Sequence, residues 1–313
     1  MNKTQPAPAS ILQRLHARIS GLSYALITAI LFSLKPVLVK LIYVYDLSSI
    51  TVIAWRMIIS MPVYLLIGVF IWRKYRQAQH KIAASDIFKA ALIGLSGYYF
   101  AALFDLIGLQ TITAQLERLI LFSYPSIVAL LSWWLFNHKF GAKMLIALVL
   151  SYAGIAVIFA SDWQHMGNSI VSGSIWVMLA AICFSFYVVL SKPIIDKIGA
   201  MTFTIIAMSS SSLMIFIHFM LTQPIQSLNV PSAALWLLFS MAIIATVIPS
   251  FTMAAAISKI GPAKTALSGT IGPIVTSIFA VMLLDEFFGW PHIIGLALVV
   301  MAVVLMQSKN KPL

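Results

Sequence analysis

Charge is scarce in this chain. Only 9% of its 313 residues are charged while 61% are hydrophobic, and soluble globular domains carry about 25% charged residues. The deficit excludes a soluble domain, whose wet surface needs such groups, and leaves a polytopic membrane protein. Cysteine is nearly missing too. The one cysteine, Cys183, sits inside an apolar run and excludes an intramolecular disulfide. Acids number eight against 20 Lys and Arg. No GxxxxGK followed by Ser or Thr occurs, so ATP hydrolysis is not expected. The absence of HExxH, CxxC or any spaced His/Cys cluster argues against a metal, and no cofactor is expected. The opening MNKTQPAPAS lacks an apolar h-region, which argues against a cleavable signal.

What is present is apolar sequence in long continuous runs. A membrane-spanning helix needs roughly 20 such residues, and ten segments meet the description. They lie near Gly21–Ile42, Ser49–Trp72, Ile87–Leu109, Thr113–Phe136, Met144–Ala160, Gly173–Leu190, Met201–Leu221, Ala233–Ile257, Gly261–Leu284 and Pro291–Met306. Barrel strands would alternate over roughly 10 residues, and these runs do not alternate. The expected fold is an all-α integral membrane protein with ten transmembrane helices. Before the first span, Ser10–Ser20 puts Ile11, Leu12, Leu15 and Ile19 on one face, as an interfacial helix would; a transit peptide is the alternative.

The basic residues orient the chain. With the N-terminus in the cytoplasm, 16 of the 20 Lys and Arg residues fall in cytoplasmic segments, among them Arg73, Lys74, Arg76, Lys81, Lys139, Lys143, Lys192 and Lys259. The opposite loops YVYDLSS, SDWQHMGNS, TQPIQSLNVPS and DEFFGWP hold none. This is the positive-inside pattern, with both termini cytoplasmic. The net charge of +12 therefore reflects topology and not a nucleic-acid partner.

The two halves echo each other. FSLKPVLVK (Phe32–Lys40) overlays FSFYVVLSK (Phe184–Lys192), and LFSYPSIVALLSWWLFNHKFG overlays GTIGPIVTSIFAVMLLDEFFG, pairing Pro125 with Pro273. Five spans per half turn the second half upside down relative to the first, the arrangement of secondary transporters with a site between their repeats. The expected organisation is a cytoplasmic segment 1–20, a first repeat 21–160, a periplasmic linker 161–172, a second repeat 173–306 and a tail 307–313. Pro125 and Pro273 are expected to interrupt helices 4 and 9 at the cavity, freeing the carbonyls of Leu121 and Gly269.

Five charges lie within spans in what reads as the periplasmic half: Lys35, Arg56, Asp105, Glu117 and Arg118. Each costs roughly 2.5–3.5 kcal/mol at a helix centre unless paired or wetted, which makes it a functional candidate. Their counterparts in the second half are Tyr187, Met208, Met253, Thr265 and Ala266, all uncharged. A scaffold needed by both halves would recur in both, so ligand recognition is favoured. Neighbours on a helix diverge by about 100°; Asp105 is therefore the expected partner of Arg118, and Arg56 or Lys35 that of Glu117. Tyr98, on a small-residue face with Gly94, Ala101, Asp105 and Gly108, and Tyr187 complete the candidate substrate- or proton-binding set. Lys40 is placed near enough the outer surface to snorkel. The histidines read as solvated or interfacial. The run Ser209–Ser212 fits a pathway lining or plain helix packing.

The ten-helix duplication, the WRM of helix 2, GLQTITAQLERLILFSYPSIVALL and the echo ISKIGPAKTALSGTIGPIVTSIFAVMLLDEFFG resemble the EamA family of drug/metabolite transporters. The resemblance implies an inner-membrane secondary carrier, often an exporter of amino acids or related metabolites, working by alternating access. The family often ends helices 4 and 9 with Gly-Glu; Glu286 keeps that acid, and His138 replaces it in the first half. The expected partners are a small-molecule substrate, H+ and the lipid bilayer of a bacterial inner membrane. Zwitterionic amino-acid-like metabolites rank first as substrate, organic anions second and lipophilic cations third. A multidrug exporter relying on Phe104, Phe184 and Tyr187 is the rival within transport. A membrane-embedded enzyme using Asp105 and Glu117 on a lipid-linked substrate is the rival from another class. Monomer and homodimer both remain compatible with the sequence.

Overall fold

The computed structural model describes residues 20–77, 82–136 and 142–307. The expected interfacial helix, the C-terminal tail and His138 lie outside them. The described residues form α-helices, short π and 3-10 turns and brief connections. Eight helical stretches are long and apolar enough to cross a membrane, and two more apolar helices are shorter. In chain order the helices are α1 (Gly21–Ser33), α2 (Lys35–Tyr43), α3 (Ser49–Gln77), α4 (Ala84–Gly94), α5 (Ala101–Leu109), α6 (Ala114–Leu121) and α7 (Tyr124–Phe136). They continue with α8 (Ala142–Met166), α9 (Ser169–Ile198), α10 (Ala200–Thr222), α11 (Ser232–Ala242), α12 (Ile248–Leu267), α13 (Ile271–Leu284) and α14 (Trp290–Gln307).

Most helices end where the chain chemistry says they should. Thr113 caps α6 by accepting the Leu116 amide at 3.1 Å, which satisfies one of the donors a helix start leaves open. Gly199 (φ 82°) ends α9, and Gly261 (φ 79°) bends α12 just before Pro262. One boundary differs from expectation. The segment 161–172, read as a linker, is helical apart from Gly167 and Asn168, because α8 runs on to Met166 and α9 starts at Ser169. Asp162 and His165 made SDWQHMGNS look wet, but Asp162 is buried and paired.

Five apolar helical runs are interrupted, and the interruptions have two causes. Three are breaks that end two or three residues before a proline: Leu34 before Pro36, Phe122–Ser123 before Pro125, and the 3-10 turn Ser268–Thr270 before Pro273. The other two are π turns, Leu95–Phe100 between α4 and α5 and Ile243–Val247 between α11 and α12. In the second, Pro249 follows and withholds the amide that would have bonded Ala245.

Close helix contacts use small residues. A Cβ on Gly94 of α4 would lie 2.4 Å from the Ala207 Cα of α10, and one on Gly108 of α5 would lie 2.7 Å from the Gly173 carbonyl of α9. Small residues permit this approach where lipid supplies no hydrophobic drive for helix association. Ser210, Ser211 and Ser212 bond back to their own helix, and Ser210 also bonds to the Ala91 carbonyl. The serine run is helix packing.

Candidate functional site

All five interruptions meet at one cavity. The space it encloses, together with the open solvent at its mouth, is about 880 Å³. Phe32 and Lys35 flank the Leu34 break, Gly97 and Tyr98 sit on the first π turn, and Leu121, Phe122 and Tyr124 straddle the break between α6 and α7. Ala245 and Thr246 come from the second π turn and Gly269 from the 3-10 turn. Phe32, Leu121, Ala245 and Gly269 each stand four residues before a proline. Each carbonyl therefore lacks the amide four residues on, although those of Phe32 and Gly269 accept the Leu34 and Ile271 amides instead. Pro125 and Pro273 themselves do not line the cavity; the residues whose carbonyls they free do. The broken runs also touch each other, since the Tyr124 hydroxyl donates to the Ala266 carbonyl at 3.1 Å.

The charges are arranged differently from the pairing expected of the sequence. Lys35 Nζ lies 2.5 Å from Asp105 Oδ2, and the second carboxylate oxygen has no hydrogen-bond partner. Arg118 turns away from Asp105 toward α1, where Nη2 reaches the Ser33 hydroxyl at 3.3 Å and the Ala29 carbonyl at 3.5 Å. Its Nε has no partner. Arg56, 4% exposed, has neither Nε nor Nη2 partnered.

Of the nine candidates, Lys35, Arg56, Tyr98, Asp105 and Arg118 line the cavity, while Glu117, Tyr187, Pro125 and Pro273 do not. Glu117 is fully buried behind the wall, beside Asp105 and within Coulombic reach of Lys35 and Arg118. Neither of its oxygens has a hydrogen-bond partner. Tyr187 supports Tyr98 from behind through a 2.9 Å hydroxyl contact. Phe184 lines the cavity and packs on Tyr124, whereas Phe104 packs on Trp176 outside it. Ala25, Thr28 and Ala29 were missed. They stand with Phe32 at positions i, i+3, i+4 and i+7 of α1, a single helix face visible in the sequence. Met253 and Thr265, the uncharged counterparts of Asp105 and Glu117, line the cavity too.

A second polar cluster holds the start of α6. Glu286 accepts the amides of Ala114 at 2.6 Å and Gln115 at 3.2 Å, and Gln115 Nε2 donates to the Phe287 carbonyl. A carboxylate suits the positive end of a helix. Burial raises the Glu286 carboxyl above its ordinary 4.5, against the pull of those amides, the Gln115 side chain and Lys40. Alongside, the Thr113 hydroxyl donates to Asp162 at 2.8 Å, and His292 Nε2 lies 3.3 Å from the same carboxylate. His292, expected to be solvated, is 1% exposed, and its Nδ1 accepts the Gly289 amide.

The profile of the EamA-like transporter family matches the chain twice, over residues 19–160 and 171–308. The chain belongs to this family. Among curated relatives of this EamA-like protein, the uncharacterized transporter YcbK of Bacillus subtilis is 23% identical over 93% of this chain and 94% of its own length. The uncharacterized transporter sll1319 of Synechocystis is 22% identical over 94% and 95%. A solved crystal structure matches the fold with a TM-score of 0.68 at 14% identity, covering 91% of this chain and 96% of its own. The EamA-like chain is thus a multi-pass membrane transporter, and nothing in the family or its relatives' names points to an enzyme.

Proposed function

We propose that this EamA-like protein is a secondary active carrier that exports a small polar metabolite, an amino-acid-like zwitterion or organic anion, across a bacterial inner membrane by alternating access. In this reading ten spans form two inverted five-helix repeats with both termini in the cytoplasm. The observation that carries the proposal is the convergence of five helix interruptions on one charged cavity. Irregular backbone at membrane depth is tolerated where it lines a cavity or is buried in protein, and carriers place discontinuous helices at the substrate. The repeat reading is supported by the spacing of the interruptions, since the π turns beginning at Leu95 and Ile243 stand 148 positions apart, the offset of Pro125 from Pro273.

Lys35, Asp105 and Glu117 are the groups through which H+ would couple. Two buried carboxyls beside one ammonium exchange a proton as the lysine is drawn to one or the other. The multidrug reading gains Phe184 but loses on charge, because three cations line the cavity against one acid. The test is counterflow in proteoliposomes loaded with unlabelled zwitterions, anions or cations. Accumulation of one labelled class above empty vesicles is expected. Chemical conversion of a lipid-linked compound by the protein in detergent micelles, without any accumulation in vesicles, would replace the carrier with an enzyme.

A further inference from the structure

The cavity's charge is unbalanced toward the positive. Lys35, Arg56 and Arg118 line it, and the acid that lines it among the described residues, Asp105, is engaged by Lys35 at 2.5 Å. Arg56 keeps two guanidinium nitrogens without partners although it is almost fully buried, and Arg118 keeps one. A buried cation without a counter-ion is costly; Asp105 and Glu117 lie within Coulombic reach of the arginines, but three cations against two acids leave one positive charge for an anion from outside. Guanidinium forks match the two oxygens of a carboxylate and hold it by charge-assisted bonds.

We propose that Arg56 and Arg118 form an anion subsite, and that the substrate is an organic carboxylate with a flat apolar body and no free ammonium group. This rests on the transport reading and narrows it. The body is argued from the remaining walls, where Phe32, Phe122, Tyr124 and Phe184 surround the space. An ammonium would meet one acid on the wall among the described residues, Asp105, already held through Oδ2 by Lys35, and would face Arg56 and Arg118 across the same space; Glu117 lies behind the wall.

The test uses three probes that share a phenyl ring and differ in charge: 3-phenylpropionate, phenylalanine and phenethylamine. Binding to the purified full chain is read by thermal shift and calorimetry, and flux by proteoliposome counterflow. Phenylpropionate is expected to bind most tightly of the three. Arg56→Gln and Arg118→Gln should each weaken it by about 10- to 100-fold, the worth of a charge-assisted bond. Arg56→Lys keeps the charge, loses the fork and should fall between; it also serves if the glutamine variant is not monodisperse. Tighter binding of phenylalanine or phenethylamine, no binding of any probe, or phenylpropionate affinity unchanged in the arginine variants would each overturn the subsite. Movement of phenylalanine by vesicles would then leave the carrier standing without it. Tight phenylpropionate binding with no flux of any probe would instead sink the carrier and keep the subsite.

Discussion

Gly272 offers a way to move Arg118 without touching it. A Cβ at this position of α13 would lie 2.6 Å from Arg118 Nη2, 3.1 Å from Nε and 3.1 Å from the Ser33 hydroxyl. Ordinary contact begins near 3.4 Å, so Gly272→Ala drives the guanidinium back by about 0.8 Å. Nη2 is already at the far edge of its bonds to Ser33 and Ala29, at 3.3 and 3.5 Å, and the retreat breaks them. Long bonds of this kind are worth about 1 kcal/mol or less each. Alanine in place of a helical glycine returns roughly 0.5–1 kcal/mol through lower chain entropy. The two effects nearly cancel, so the ligand-free protein should unfold within about 1 kcal/mol of wild type. Anion affinity should fall about tenfold or more, because the displaced fork no longer meets its ligand. Thermal melts with and without 3-phenylpropionate measure both quantities. Unchanged affinity would refute the placement of Arg118 in the subsite, and a loss above about 3 kcal/mol without ligand would make Gly272 a packing residue first.

Three further outcomes are expected. Lys35→Met strands the Asp105 carboxylate and should cost about 3–5 kcal/mol; Lys35→Met with Asp105→Asn should recover most of it, and a double variant as unstable as the summed singles would remove the pair from the account. Gly94→Ala meets the Ala207 backbone at 2.4 and 2.6 Å, which cannot yield as a side chain can. It should destabilise by about 1–3 kcal/mol, whereas Gly68→Ala, facing only Ile205 Cγ2 at 3.2 Å, should cost less in the same melts. Glu286 is an acid raised in the folded state, so the native chain binds its proton more tightly than the unfolded chain does. Its contribution is greatest below its ordinary 4.5 and fades as pH rises through the raised value. Glu286→Gln should flatten that part of the melting profile as pH rises above the ordinary 4.5; a wild-type minus variant difference that stays constant would exclude the linkage.

The helices were legible because continuous apolar runs speak directly about lipid, and Pro125 and Pro273 marked two of the five interruptions. The π turns were not legible, since π geometry at Leu95–Phe100 needs no proline and carries no local composition. Five of the nine candidate residues line the cavity, and they were legible because a charge or tyrosine in an apolar span is conspicuous. Their partners were not, because partner choice depends on helix rotation: Asp105 pairs with Lys35, whereas the divergence of Glu117 and Arg118 on their helix had assigned it to Arg118. Asp162 with His292, and Glu286 with the start of α6, are matched across more than a hundred residues. Taken singly, each looked like an ordinary wet end of a helix.

The freed carbonyls and the arginines differ in how easily they can be lost. A guanidinium disappears with one codon change, but a backbone oxygen has no side chain to mutate and persists as long as its proline does. On the carrier reading proposed above, charge preference is therefore the variable trait, carried by Lys35, Arg56 and Arg118 on the first half, while the broken backbone is inherited with the fold. Descendants that keep Pro36, Pro125, Pro249 and Pro273 while exchanging the arginines would change what they carry without rebuilding the chamber. An acid introduced at Met253 or Thr265, on the uncharged wall, would open it to ammonium compounds.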